Sequence, residues 1–303
     1  MSTAAHNLEV GTSVSGEIKR FHVSAEPAKI TTALMREGAV IVEQLLDRET
    51  VDHINAELDP VLTTDHHGVK DDQVVGQSRR LNAILRHSPT TVNRVANHPV
   101  LIGQAEAVLG DHTDTLQLNL FASEVTPGEQ SQQFHRDDWN WGHVKGRSHP
   151  LCVFSIVALS EFTVTNGATR FIPDSNLWRD AYDTADDKSK WRNGVYEHKS
   201  LPRGQFEGLA VSATMDAGSV VIALGSTLHG AGVNQTADVF RRALQVKYCM
   251  GWLRTTANNF LLYPPEFAKT LPEEVQRLLG YQLEAKHLGM LEQSVDPIEL
   301  LRN

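Results

Sequence analysis

Within SQQFHRDDWNW (131–141) a histidine and an aspartate, His135 and Asp137, stand two residues apart. An imidazole and a carboxylate at that spacing can be part of a metal site, the HRD of a kinase catalytic loop, or an ordinary polar turn. On a strand, residues i and i+2 point the same way, so both side chains can meet one ion while Arg136 points elsewhere. Arg136 is therefore expected to matter least to the chemistry. A third ligand must come from another element, and the best candidate is His229 in LGSTLHGAGVN, flanked by glycines that allow close backbone approach. Two histidines and one carboxylate on one face of an ion leave coordination positions open, the facial triad of non-haem iron(II) oxygenases. The kinase reading needs an asparagine five residues after the aspartate, where this chain has Gly142, and it finds no DFG.

Beyond His229 lies RRALQVKYC, which opens on Arg241 and Arg242 and then turns apolar. An arginine at the mouth of such a strand is costly to desolvate unless it meets an anion, and its planar fork suits a carboxylate. The distal carboxylate of 2-oxoglutarate fits, its keto acid end chelating the iron. The two arginines face opposite sides of the strand, so only one can serve. A zinc hydrolase could also use two histidines and an aspartate, but that reading leaves the arginine strand unexplained. A non-catalytic ligand-binding protein is a third alternative, against which the intact triad argues. His66, His67, His143, His149 and His198 lie in loop-like text and read as solvated or hydrogen-bonded side chains. Trp139, Trp141, Trp178 and Trp252 are candidate walls of an apolar pocket.

The elements that must position these residues change character along the chain. Residues 1–20 are polar and aperiodic and read as a mobile arm. EPAKITTALMREG reads as a helix ending at Gly38, AVIVEQLL as a strand, and DRETVDHINAELDPVL as a helix capped by Asp47. Residues 63–80 have loop composition, and 81–109 regain helical spacing. From 114 the period becomes two, with Leu116, Leu118 and Leu120 on one face and Gln117, Asn119 and Phe121 on the other. Strands also read at 149–159, 167–173, 218–224 and 241–252. Strands not interleaved with helices imply antiparallel sheets, of which a double-sheet jelly roll is one form. The expected fold is mostly β with flanking helices around a double-stranded β-helix, cupin-like core. One domain spans 21–303, with a helical N-terminal part, an insertion at 174–210 and a C-terminal helical segment.

With 303 residues, a net charge of -9 and 21% charged residues, the chain reads as globular and as a poor partner for nucleic acid. No apolar run approaches a membrane span. Cys152 and Cys249 are too few for a disulfide scaffold, and no signal peptide is evident, which points to a cytoplasmic protein acting on a small molecule.

The motifs HRD at 135, NGATRFIPDS at 166, HGAGVN at 229, the RRAL strand, and GWLRTTANNFL followed by LPEEVQRLLGY resemble the phytanoyl-CoA dioxygenase-like family, in its fungal natural-product branch. The resemblance runs from about Phe21 to the C-terminus. It implies Fe(II) held by His135, Asp137 and His229, with 2-oxoglutarate and O2 as co-substrates and a homodimer as a conceivable assembly. It also implies an arginine anchor just past the second histidine, and Gln132 and Thr169 as 2-oxoglutarate contacts. Two departures stand out. The interval from His229 to the arginine is one residue longer than usual, which leaves Arg241 favoured over Arg242, and PDSN at 173–176 replaces the usual PGSH. A halide-using variant is disfavoured because Asp137 fills the position a halide would need. The implied reaction is oxidation of a C–H bond in a meroterpenoid- or alkaloid-like molecule, with an acyl-CoA as the alternative substrate.

Overall fold

The computed structural model describes residues 16–62, 78–142, 144, 148–178, 191–192, 195–196 and 206–302. Twelve strands occur among them: β1 (Lys19–His22), β2 (Ala39–Glu43), β3 (Arg79–Leu81), β4 (Leu116–Val125), β5 (Cys152–Ala158), β6 (Thr169–Phe171), β7 (Trp191–Arg192), β8 (Val195–Tyr196), β9 (Val211–Ser212), β10 (Val220–Leu224), β11 (His229–Ala231) and β12 (Arg241–Met250). Seven form a large sheet in the order β1-β2-β10-β5-β12-β4-β3, three form a small sheet in the order β11-β6-β9, and β7 pairs with β8. Every pairing is antiparallel except β1 with β2. The small sheet packs over one face of the large one through Phe154, Ile156, Phe171, Met215 and Val221, which is the double-sheet jelly roll.

The other face of the large sheet carries the helices α1 (Pro27–Glu37), α2 (Arg48–Leu62), α3 (Pro89–Arg94) and α4 (Pro99–Leu109). Alternation decides which side chains go where. On β4, Leu116, Leu118 and Leu120 enter the helix-side core with Val153, Val157, Ile222 and Leu244. Phe121, on the opposite face, lines a cavity between the sheets. β5 and β10 are buried throughout because both of their faces are covered, so they read as continuous apolar runs rather than alternating ones. Asp47 caps α2, its Oδ1 accepting from the Thr50 N–H at 2.7 Å. Four short helices follow β12: α5 (Asn259–Leu262), α6 (Pro265–Ala268), α7 (Glu273–Leu278) and α8 (Glu299–Arg302).

Several expectations shift. Lys19 and Arg20, placed in the N-terminal arm, belong to β1, where they pair with Val40 and Ile41. Arg79 and Arg80, placed in the 63–80 loop, open β3 because β4 offers a free edge to pair with. Residues 1–15 of the arm, 63–77 of the loop, and most of the insertion between 179 and 205 lie outside the described residues, as do His66, His67, His143 and His198.

Candidate active site

His135 is not in a strand of its own. It forms an isolated bridge with His229, each backbone N–H donating to the other's carbonyl at 2.9 and 3.0 Å. Asp137 then opens a 3-10 turn, Asp137–Trp141, immediately after the extended Arg136. The expectation of a common direction for positions 135 and 137 therefore holds locally, although no full strand surrounds them. This bridge needs Gly230, because a Cβ there would lie 3.1 Å from the carbonyl oxygens of both Gln132 and Gln133.

The ligand-type atoms of His135, Asp137 and His229 lie within 4.8 Å of one another, the one cluster of this kind among the described residues. The Nδ1 of His135 meets the Gln133 carbonyl at 3.0 Å, and the Nδ1 of His229 meets the Thr227 carbonyl at 3.1 Å. A carbonyl oxygen only accepts, so in each neutral ring Nδ1 carries the proton and Nε2 keeps its lone pair. Burial and the neighbouring His135 push His229 down to about 3, which keeps its imidazole neutral. Burial alone would raise the Asp137 carboxyl, but the Lys247 ammonium beside it outweighs that and holds the group ionised, well below its ordinary value. The Lys247 Nζ lies 2.7 Å from Asp137 Oδ2.

A cavity of about 130 Å³ joins these three residues to Gln132, Thr169 and Arg241. Arg241 is 2% exposed, its Nη1 donates to Thr169 Oγ1 at 3.2 Å, and its guanidinium sits 4.5 Å from the centre of the Phe162 ring. Its Nε has no hydrogen-bond partner, and desolvation depresses its pKa to about 10. Arg242, on the other face, pairs with Glu124 and Asp59, each at 2.7 Å, and so ties β12 to β4 and α2. Gln132 Oε1 accepts from the Ala231 N–H at 2.9 Å, linking the segment before the bridge to β11.

Among the other residues lining this cavity, not singled out from the sequence, are Arg79, Arg80, Glu129, Phe154, Ile156 and Gln245. The Arg80 guanidinium lies 3.8 Å from the centre of the Phe121 ring. Gln245 and Lys247 follow Arg241 at even spacing on β12, so the period-two rule could have marked both. None of the four tryptophans lines the described cavity. Trp178 is core beside Phe134 and Ile172, with Trp139 against that cluster. Trp141 and Trp252 donate to the Arg254 and His112 carbonyls. Arg136, expected to be peripheral, is 1% exposed and donates to the carbonyls of Ser175 and Ser226, joining the start of the insertion to the loop that leads into His229. Two wider depressions, of about 510 and 560 Å³, lie elsewhere and hold none of the candidate residues.

The model of the phytanoyl-CoA dioxygenase family matches residues 34–243, which contain every residue lining this cavity except Gln245. The chain belongs to the phytanoyl-CoA dioxygenase family. Family membership makes it an iron- and 2-oxoglutarate-dependent dioxygenase with the jelly-roll core seen here. Among curated members, the chain is 26% identical to multifunctional dioxygenase prhA of Penicillium brasilianum, over 89% of this chain and 88% of that protein. It is 28% identical to dioxygenase aneA of Aspergillus aculeatus, over 84% of this chain and 82% of that protein. Among solved structures, epimerase SnoN in complex with Fe3+, alpha ketoglutarate and nogalamycin RO superposes with a TM-score of 0.54 at 23% identity, over 78% of this chain and 88% of that one. In this dioxygenase no described helix is long and apolar enough to cross a membrane.

Proposed function

We propose that this dioxygenase oxidises a C–H bond of a bulky secondary metabolite, such as a meroterpenoid or alkaloid, with Fe(II) held by Nε2 of His135 and His229 and by the Asp137 carboxylate. The residues fit the ion: two imidazoles whose Nδ1 protons are already engaged and one ionised carboxylate present three donors in one small cluster. They also fit 2-oxoglutarate, because the guanidinium of Arg241 is buried on the same cavity with an unpartnered Nε and no carboxylate among its hydrogen-bonding partners. That unpaired arginine beside the His-Asp-His cluster is the observation that carries the reading. Thr169, already bonded to Arg241, shares the anchoring of the distal carboxylate, and Gln132 contacts the co-substrate from the bridge side.

When bound, the iron would supply the oxidising chemistry that couples conversion of 2-oxoglutarate and dioxygen to succinate and carbon dioxide with hydroxylation, desaturation or a related oxidation at the substrate C–H bond. The protein's own contribution is placement. His135 and His229 present Nε2, Asp137 remains ionised, Arg241 sets the orientation of the co-substrate, and Phe121, Phe154 and Ile156 supply the apolar part of the cavity wall. The catalytic unit includes β1 and so begins before residue 21, acts in the cytoplasm and assembles as a homodimer. The relatives prhA and aneA are fungal dioxygenases, and SnoN was captured with nogalamycin RO; these favour a secondary metabolite over an acyl-CoA.

The test pairs metal binding with turnover. Asp137→Ala and His135→Ala proteins should lose Fe(II) binding and 2-oxoglutarate consumption; wild-type levels of both would refute the ligand set. A substrate panel read by succinate release separates the substrate classes, and stimulation by acyl-CoAs alone would overturn the secondary-metabolite reading. Sedimentation of the purified protein checks the dimer.

A further inference from the structure

Lys247 sits on the inward row of β12, two strand positions beyond Gln245, between Asn119 on β4 and Phe154 on β5. It is 9% exposed, and the ion pair it makes is with Asp137, at 2.7 Å to Oδ2. A buried ammonium is unfavourable unless a carboxylate meets it. A carboxylate has two oxygens and can grip an ion with one or with both. With Oδ2 held by the ammonium, Oδ1 is the oxygen left for an ion beside His135 and His229.

Resting on the iron reading above, we infer that Lys247 is a positioning residue that keeps Asp137 a one-oxygen ligand and thereby preserves the open positions that 2-oxoglutarate and dioxygen require. Three protein donors leave three places on a six-coordinate ion. A second Asp137 oxygen would take one of these three and leave too few for a chelating keto acid and dioxygen together. The ammonium also adds a positive charge close to the ion, which favours a dianionic co-substrate. Lys247 acts through Asp137 and through the field at the ion, so its loss alters coordination and co-substrate affinity.

The test uses cobalt(II) in place of iron, because its visible absorption reports coordination number without turnover. Lys247→Met protein loaded with cobalt(II) should show a changed band pattern and bind 2-oxoglutarate at least about tenfold more weakly than the wild type. In Lys247→Ala protein, propylammonium should restore both the spectrum and the affinity by returning an ammonium to the vacated channel. If the methionine variant fails to fold, the alanine variant refolded with propylammonium supplies the same two readouts. A wild-type spectrum together with a 2-oxoglutarate affinity within threefold of normal would overturn the inference, as would an effect confined to the KM of the organic substrate, which would make Lys247 a substrate contact. The separate control is His229→Ala: undiminished cobalt binding there would overturn the metal reading itself and the lysine inference with it.

Discussion

Replacing Arg241 by methionine should strengthen the metal-free protein and disable it toward its co-substrate. The guanidinium is 2% exposed, and desolvation takes its pKa from 12.5 to about 10. Because the folded-state value lies below the unfolded one, the charge opposes folding at every pH below about 10. The depression corresponds to roughly 3 kcal/mol. Part of that is offset by the Thr169 hydrogen bond and the Phe162 ring, each worth about 1 kcal/mol. The methionine variant should therefore gain about 1–2 kcal/mol and melt a few degrees higher, roughly 2–6 °C for a chain of this size. The same change leaves the distal carboxylate of 2-oxoglutarate buried without its cation, which costs about 2–5 kcal/mol, or roughly thirty- to several-thousand-fold in affinity. Scanning calorimetry of the metal-free protein and isothermal titration of zinc-loaded protein with 2-oxoglutarate read the two effects separately. A lower melting temperature, or co-substrate binding within threefold of normal, would refute the reasoning.

Arg242→Met should behave in the opposite way: it strands the buried Glu124 with only Arg79 at 3.3 Å, so urea unfolding should show a loss of roughly 2–4 kcal/mol while 2-oxoglutarate binding stays unchanged. His229, pushed down to about 3 when folded, takes up its proton first in the unfolded chain. Stability of the metal-free protein should therefore fall as pH drops from 7 to 5, by about 2 kcal/mol from this residue, and His229→Leu should remove that part of the slope in urea titrations at the two pH values. Arg136→Met deprives the carbonyls of Ser175 and Ser226 of their buried donor, so it should destabilise the fold by roughly 2–3 kcal/mol and weaken metal binding through the loop before His229, as cobalt titration would report.

Much of the site was legible in one dimension because its chemistry is carried by residue type and short-range spacing. Two ligands two apart on extended backbone must share a side, whatever the rest of the chain does. The strand at 116–125 is likewise readable from its alternation, and α2 from the Asp47 cap, since both depend on neighbours in sequence. Reading failed where a partner strand makes the element. β3 exists because β4 has an edge to pair with, so Arg79 and Arg80 looked like loop. The tryptophans were weighed as pocket walls by composition, whereas packing placed Trp178 in a core cluster and Trp141 and Trp252 on backbone carbonyls of their own.

By itself, the sequence determined the candidate donor set, the two-residue step between His135 and Asp137, the alternation that sends one arginine of the pair inward, and the jelly-roll class of the fold. Tertiary structure supplied the physical reason for the arginine the resemblance favoured, because the register of β12 against β4 places Arg242 beside Glu124 and leaves Arg241 facing the cavity. It also brought His229 into a backbone bridge with His135 and set Lys247 on Asp137. Spacing along a chain constrains direction over two or three residues, whereas contact across a barrel depends on strand order and register, which the whole sheet must settle together.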